Sequence, residues 1–165
     1  MKPLSFDVNH LILERGVYLS QTVILGTYSV VTLDVWMCKP YADYPMTVEQ
    51  AHSFEHALAT LVRNFTDRSN ISTVCVGPMG CLTGFYLVFA IKNGENVVFS
   101  EWFNKLVEHI LHHKEDPIPA NSKLECGNCT TLSEEAKNQA FDMFESMWRA
   151  NPGIRHYPGT AYVAY

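Results

Sequence analysis

Residues 47–65 read TVEQAHSFEHALATLVRNF, and this stretch predicts an amphipathic helix. Apolar side chains recur along it every three or four positions, which is the repeat of a single helical face. Thr47 and Gln50 have the spacing of a capping box, in which each side chain bonds the backbone N–H of the other residue. We therefore expect a helix from about Thr47 to Asn64. Its apolar stripe consists of Ala51, Phe54, Leu58, Leu61, Val62 and Phe65.

Two histidines on this helix form a candidate metal site. His52 and His56 are four residues apart, so both imidazoles lie on one face, about 140° from the centre of the apolar stripe. Such a pair can hold Zn²⁺, Fe²⁺ or a similar ion, with Glu55 beside it as a carboxylate. The same order, His-x-x-Glu-His, occurs in inverted zinc peptidases. The bare spacing also occurs by chance on solvated helix faces, so the prediction of a metal site depends on finding a third ligand.

The candidates for that ligand are Cys126 and Cys129, which follow a Pro-rich segment at 117–122. A thiolate suits Zn²⁺ or Fe²⁺, and a loop between two helices can carry it to a third helix. The order Cys-Gly-Asn-Cys also fits half of a zinc ribbon or a redox pair. A ribbon requires a second cysteine pair, which this sequence lacks, and a redox dithiol usually opens a helix directly after a strand.

Another cysteine, Cys81, directly follows the turn-forming residues Gly77-Pro78-Met79-Gly80 and precedes a predicted strand. A thiol in that position can face a cleft and act as a nucleophile or a base. A cysteine at the start of a strand is more often simply buried, so this observation alone leaves both interpretations open.

Length and charge restrict the classes of function. A chain of 165 residues with 47% hydrophobic content can bury one core, so we expect a single domain over residues 1–165. A net charge of −5 without a Lys/Arg cluster argues against nucleic acid or a membrane surface as partner. No apolar run approaches the roughly 18 residues of a membrane helix, and residues 1–7 lack the apolar core of a signal peptide. We expect a cytoplasmic protein.

The remaining pattern predicts an α+β fold in which an antiparallel sheet packs against helices. Apolar and β-branched runs predict four strands, the first two joined as a hairpin at Gly26. Two further helices are expected, one of them with a second capping box formed by Thr131 and Glu134. The predicted strands are Tyr18–Ile24, Tyr28–Met37, Val74–Val76 and Thr83–Ile91, and the predicted helices run from about Glu95 to His113 and from about Thr131 to Asn151.

Three sequence motifs follow one another in a fixed order. They are HSFEHAL at 52–58, GPMGCLTGFY at 77–86, and IPAN at 118–121 followed by CG at 126–127 and EEAK at 134–137. In order and spacing they resemble S-ribosylhomocysteine lyase, also called S-ribosylhomocysteinase or LuxS, the family that makes the autoinducer-2 precursor. The resemblance covers about residues 5 to 140.

The resemblance implies a role for each residue that matches a family motif. It implies that Cys126, with His52 and His56, ligates the metal. It implies that Glu55 is the acid/base beside the metal and that Cys81 is the catalytic thiol. The segment SFDVNH at 5–10 is similar to the family's N-terminal motif, so the resemblance also implies that Ser5 and His10 contact the ribose.

The resemblance further implies a LuxS-like metalloenzyme fold, an Fe²⁺ ion that Zn²⁺ or Co²⁺ can replace, and a homodimer with its active sites at the interface. The implied reaction cleaves S-ribosylhomocysteine to homocysteine and 4,5-dihydroxy-2,3-pentanedione. This links the activated methyl cycle, and so methionine and homocysteine metabolism, to quorum sensing.

One departure from the family concerns charge near the catalytic thiol. Trp36 stands where the family has an arginine, and Lys39 or Arg15 is a candidate for restoring a cation. This departure, together with Leu11-Ile12-Leu13-Glu14-Arg15-Gly16 in place of the family's basic segment, motivates one alternative, a metal-dependent isomerase or lyase that acts on another sugar or sugar thioether. A second alternative, from another class, is a non-catalytic metal-binding homodimer in which Cys81 is structural.

Overall fold

A mixed five-stranded sheet is the framework of the computed structural model, which describes residues 7–66, 70–93 and 98–157. In chain order the strands are β1 (Gly16–Leu25), β2 (Tyr28–Trp36), β3 (Ile71–Pro78), β4 (Gly84–Lys92) and β5 (Ile154–His156). Their spatial order is β3-β4-β2-β1-β5. The contacts β3–β4, β4–β2 and β2–β1 are antiparallel, whereas β5 runs parallel to β1.

The hairpin of β1 and β2 confirms the sequence prediction. Leu25 pairs with Tyr28, and Gly26 turns the chain between them with a φ of 61°, a left-handed conformation that glycine adopts without strain. The strands predicted around Val74–Val76 and Thr83–Ile91 are also present, as the longer β3 and as β4. The short strand β5 lies in a segment to which the sequence pattern assigned no structure.

Three helices cover one face of the sheet in the described part of the chain: α1 (Val48–Thr66), α2 (Phe99–His112) and α3 (Glu134–Ala150). Phe54 of α1 is completely buried, and its ring lies 5.2 Å from that of Phe85 on β4 and 4.9 Å from that of Phe141 on α3. This packing fixes the rotation of α1 about its axis. The helix therefore turns its histidine face away from the sheet and towards the chain that precedes α3.

One helix start follows the sequence prediction and another does not. Thr47 N–H donates to Gln50 Oε1 at 2.8 Å and Gln50 N–H donates to Thr47 Oγ1 at 3.1 Å, so the predicted capping box of α1 is confirmed. The predicted box of Thr131 and Glu134 is wrong. Residues Cys129–Thr131 form a separate one-turn 3-10 helix, and α3 is capped by Ser133, whose Oγ accepts from Ala136 N–H at 3.2 Å.

A smaller buried cluster lies on the opposite face of the sheet. The Tyr18 and Tyr157 rings stack 4.8 Å apart, and Trp36 Nε1–H donates to Tyr157 Oη at 2.8 Å. The Tyr157 hydroxyl in turn donates to Asp34, whose pKa is raised by burial although this bond opposes the shift. Strand β5 thus delivers Tyr157 to a buried polar network on β2. The apolar members of the cluster are Val8, Leu13, Tyr18, Trp36, Met79 and Tyr157.

The α+β prediction is confirmed, since a largely antiparallel sheet packs against separate helices. Across residues 7–66, 70–93 and 98–157, no helix has both the length and the apolar character needed to cross a membrane.

Candidate metal centre

The structure brings together one ligand atom each from His52, His56 and Cys126. These atoms all lie within 4.8 Å of one another, and His52 Nε2 is 3.4 Å from Cys126 Sγ. Bond lengths of tetrahedral Zn²⁺ sites place an imidazole nitrogen and a thiolate sulfur roughly 3.5 Å apart. All three side chains are partly buried. The spacing therefore suits a small divalent ion.

Hydrogen bonding determines which nitrogen of His52 faces this centre. Thr131 Oγ1 donates its only proton to Asn128 O at 3.0 Å, so it can only accept at its 2.8 Å contact with His52 Nδ1. His52 Nδ1 therefore carries a proton, and Nε2, which has the lone pair in the neutral imidazole, is the nitrogen 3.4 Å from Cys126 Sγ. A threonine that accepts from a metal-binding imidazole is the kind of outer contact that orients such ligands.

The same reasoning applies to His56. Its Nδ1 lies 3.0 Å from Pro119 O, and because a carbonyl oxygen can only accept, the proton is on Nδ1. His56 Nε2 is then free to bind a metal. In the neutral form of each imidazole, Nε2 is then the nitrogen without a proton, which is the form that a divalent transition metal requires.

Two side chains of α3 hold the loop that supplies Pro119. The Glu134 carboxylate accepts from Ile118 N–H at 2.7 Å, and Lys137, fully buried, donates to Asp116 O at 2.5 Å. Burial opposes ionisation of Glu134, but the bonds from Ile118 and Lys137 outweigh it and lower its pKa. The loop is therefore anchored at both residues that flank Pro117, just before it meets His56.

The chain around Cys126 explains why this cysteine, and not Cys129, joins the histidines. Cys126 N–H donates to Ser122 O at 2.9 Å, which closes a turn and directs the Cys126 side chain towards α1. Cys129 instead begins the 3-10 helix that carries Thr131. Buried Ser53 ties this region to α1, because its Oγ accepts from Ser133 N–H at 2.9 Å.

Comparison with known proteins places this geometry in a family. The family model described as S-Ribosylhomocysteinase (LuxS) matches residues 4–152. The chain belongs to the S-ribosylhomocysteinase (LuxS) family.

Curated relatives named S-ribosylhomocysteine lyase agree with this assignment. The protein of Finegoldia magna is 35% identical over 130 residues, covering 78% of this chain and 80% of the relative. That of Clostridium beijerinckii is 37% identical over 130 residues, covering 77% and 78% respectively. That of Clostridium acetobutylicum is 35% identical over 127 residues, again covering 77% and 78%. The resemblance inferred from the three motifs is confirmed.

Within this LuxS-family fold, Cys81 is exposed in the connection between β3 and β4. Its Sγ lies 2.8 Å from Thr83 Oγ1. Leu82 O accepts from Met46 N–H at 2.9 Å, and Thr83 O accepts from Met37 N–H at 2.9 Å. The loop is thus held between the end of β2 and the segment that begins α1. Glu55 is half-buried on α1, next in sequence to His56.

Of the two N-terminal residues expected to contact the sugar, the structure describes His10 but not Ser5. His10 is half-buried, and its ring meets Trp36 edge to face with centroids 5.3 Å apart. Lys39, a candidate replacement for the family's arginine, forms an ion pair with Glu14. The Trp36 and His10 rings therefore lie side by side, while the ammonium group of Lys39 is paired with Glu14.

Several residues of the site carried no signal in the sequence. Thr131, Pro119 and Ser53 act through contacts that span 63 to 80 positions of the chain. No local spacing rule connects such distant residues. Only the fold shows that they hold His52, His56 and the segment before α3 in place.

Proposed function

We propose that the protein is an S-ribosylhomocysteine lyase, which cleaves the thioether of S-ribosylhomocysteine to homocysteine and 4,5-dihydroxy-2,3-pentanedione, the precursor of autoinducer-2. The observation that carries the proposal is the convergence of His52, His56 and Cys126, whose ligand atoms lie within 4.8 Å of one another, in a chain of this family. The names of the curated relatives support the same substrate.

The reaction explains why these residue types are needed. The carbonyl of the sugar has to move from C1 to C3 before the thiolate in the β position can leave. Each shift transfers protons between carbon and oxygen through an enediolate, so the site requires acid/base groups near the sugar. A metal held by His52, His56 and Cys126 would supply Lewis-acid stabilisation of the negative oxygen that develops.

Glu55 and Cys81 are the proposed acid/base pair. Glu55 lies on the helix that carries both histidines and is half-exposed, so its carboxylate can exchange protons with a substrate oxygen. Cys81 is exposed at the mouth of the β3–β4 connection, where a sugar can reach it. Once the thiol gives up its proton, the Thr83 hydroxyl can donate to the sulfur.

Substrate positioning is assigned to the N-terminal segment. We propose that Ser5 and His10 contact the ribose, with the buried Trp36 ring holding His10 in place. His10 Nδ1 bonds Val8 O at 2.8 Å, which leaves Nε2 available for a sugar hydroxyl.

The proposal extends to metal, assembly and location. We assign Fe²⁺ as the metal, with Zn²⁺ or Co²⁺ able to replace it, because one thiolate and two imidazoles suit these ions. We further propose one domain over residues 1–165, a homodimer with active sites at its interface, and a cytoplasmic location. Five cysteines that form no disulfide are typical of a reducing compartment.

The decisive experiment measures release of free thiol from S-ribosylhomocysteine by anaerobically purified protein loaded with Fe²⁺ or Co²⁺. We expect metal-dependent release, loss of it in His56→Ala and in Cys81→Ala, and full activity in Cys75→Ala, a control at another exposed cysteine. Absence of release from fully metallated protein would refute the proposal. Unchanged turnover in Cys81→Ala would refute the role given to that thiol.

A further inference from the structure

A second thiol, Cys129, lies three residues after Cys126, and neither the metal centre nor the proposed reaction uses it. In the described part of the chain, the group of mutually close ligand atoms contains His52, His56 and Cys126 and does not include Cys129. Cys129 is half-buried and begins the 3-10 helix that ends at Thr131. The site therefore keeps an unused thiol next to its thiolate ligand.

The backbone brings the two cysteines together. Gly127 and Asn128 form a turn between them, and the α-carbons of the first and fourth residues of a turn lie within about 7 Å. Disulfides bridge α-carbons that are about 4.4–6.8 Å apart. Asn128 N–H also donates to Cys126 Sγ at 3.4 Å, so this sulfur lies over the same turn.

The outer side of this turn is open. A β-carbon added at Gly127 would meet no atom within 4 Å, and both cysteines are partly exposed. A small solute can therefore approach either sulfur when no metal occupies Cys126.

We propose that Cys126 and Cys129 form a reversible disulfide in the metal-free protein, an inference that rests on the proposed role of Cys126 as a metal ligand. The oxidant is a low-molecular-weight disulfide. The Cys126 thiolate attacks one of its sulfurs, forming a mixed disulfide and releasing one thiolate. Cys129, deprotonated, then attacks the Cys126 sulfur and releases the second. Two protein thiols are oxidised, one disulfide is reduced to two thiols, and the two protein protons pass to the released thiolates.

The second step is favoured because both cysteines belong to one short turn, so the local concentration of Cys129 at the mixed disulfide is high. Disulfide and metal exclude each other, since a disulfide sulfur has lost the charge that makes a thiolate a ligand. The cross-link also involves the 3-10 helix whose Thr131 orients His52. Oxidation thus affects Cys126 directly and His52 through its contact with Thr131.

The test exposes metal-free and Co²⁺-loaded protein to oxidised glutathione and then maps the cysteine peptides by mass spectrometry. In metal-free wild type we expect a peptide with Cys126 bonded to Cys129, lighter by two hydrogens. In Cys129→Ser we expect a stable glutathione adduct on Cys126. Cys75→Ser, changed at an exposed cysteine of β3, should still form the cross-link. Loss of an outer contact alone costs about 10–100-fold in metal affinity, so loss of the Cys126 ligand should weaken Co²⁺ binding of the oxidised wild type by more than about 100-fold, and dithiothreitol should restore binding.

The proposal is overturned if metal-free wild type keeps a glutathione adduct on Cys126, if Cys126 joins a cysteine other than Cys129, or if Co²⁺ gives no protection. Peptide mapping of the metal-free protein involves no turnover. A protein that forms the cross-link but releases no thiol from S-ribosylhomocysteine would therefore refute the proposed function and leave the disulfide standing.

Discussion

Thr131→Val tests whether the hydroxyl contact to His52 builds the metal centre. Valine keeps the shape of threonine but removes both the bond accepted from His52 Nδ1–H at 2.8 Å and the bond donated to Asn128 O at 3.0 Å. Each hydrogen bond contributes about 0.5–1.5 kcal/mol net, so the variant loses about 1–3 kcal/mol of the free energy that holds the His52 ring in its orientation. Loss of such an outer contact typically lowers metal affinity by about 10–100-fold. We expect a decrease within that range.

The assay is competition for Co²⁺ between the protein and a chromophoric chelator under anaerobic conditions. Thr130→Val is the matched control, because the Thr130 hydroxyl is exposed and bonds only the Asn128 side chain among the contacts that the structure gives it. The reasoning is refuted if both variants retain the affinity of the wild type, or if both lose it equally.

Three further changes concern stability. Lys137→Met keeps a buried stem but removes the charged hydrogen bond to Asp116 O, so unfolding in urea should show a loss of about 1.5–3 kcal/mol together with weaker Co²⁺ binding. Gly84→Ala would place a β-carbon 2.0 Å from Val35 O, and we expect a loss of more than about 3 kcal/mol or an insoluble product. The pKa of Asp34 is raised by burial from its ordinary value of 3.8, so the native state keeps this proton to higher pH than the unfolded chain does. The free energy of unfolding therefore falls as pH rises from 3.8 through the native pKa, and Asp34→Asn should remove that fall in urea titrations over this range.

Controls separate these effects from general damage. Exposed Lys123→Met should match the wild type in both assays, and equal losses in Lys123→Met and Lys137→Met would contradict the role of the buried ammonium group. Gly77→Ala meets no atom within 4 Å and should fold normally. An identical pH slope in the wild type and in Asp34→Asn would show that this carboxyl does not set the dependence.

Local interactions decided which features the sequence could predict. The start of α1 was predictable because Thr47 and Gln50 bond each other three residues apart. The start of α3 was not predictable, because the Glu134 carboxylate accepts a hydrogen bond from Ile118 N–H, sixteen residues away, instead of from the backbone near Thr131. Strand β5 is three residues long and, among the described residues, pairs with β1 alone, so its own sequence carries almost no periodic signal.

In the candidate metal centre, too, the features set by local spacing were predictable and those set by long-range contacts were not. The spacing of His52 and His56 was enough to predict that both imidazoles lie on one side of the candidate metal centre, since one helix supplies both. The choice between Cys126 and Cys129 depended on the turn closed by Ser122 and on the docking of α3, which no spacing rule contains. The tautomers of both histidines likewise follow from partners that only the folded chain provides.

The three residues of the candidate metal centre are split between one helix and a segment about 70 residues further along the chain, and this separation affects the thermodynamics of folding. The unfolded chain has no preformed site, so a metal binds the native state in preference and stabilises it by mass action. At a free concentration 100 times the dissociation constant, that linkage adds about 2.7 kcal/mol. Metal supply would then set how much of this protein survives cellular proteolysis, as well as how much of it is loaded.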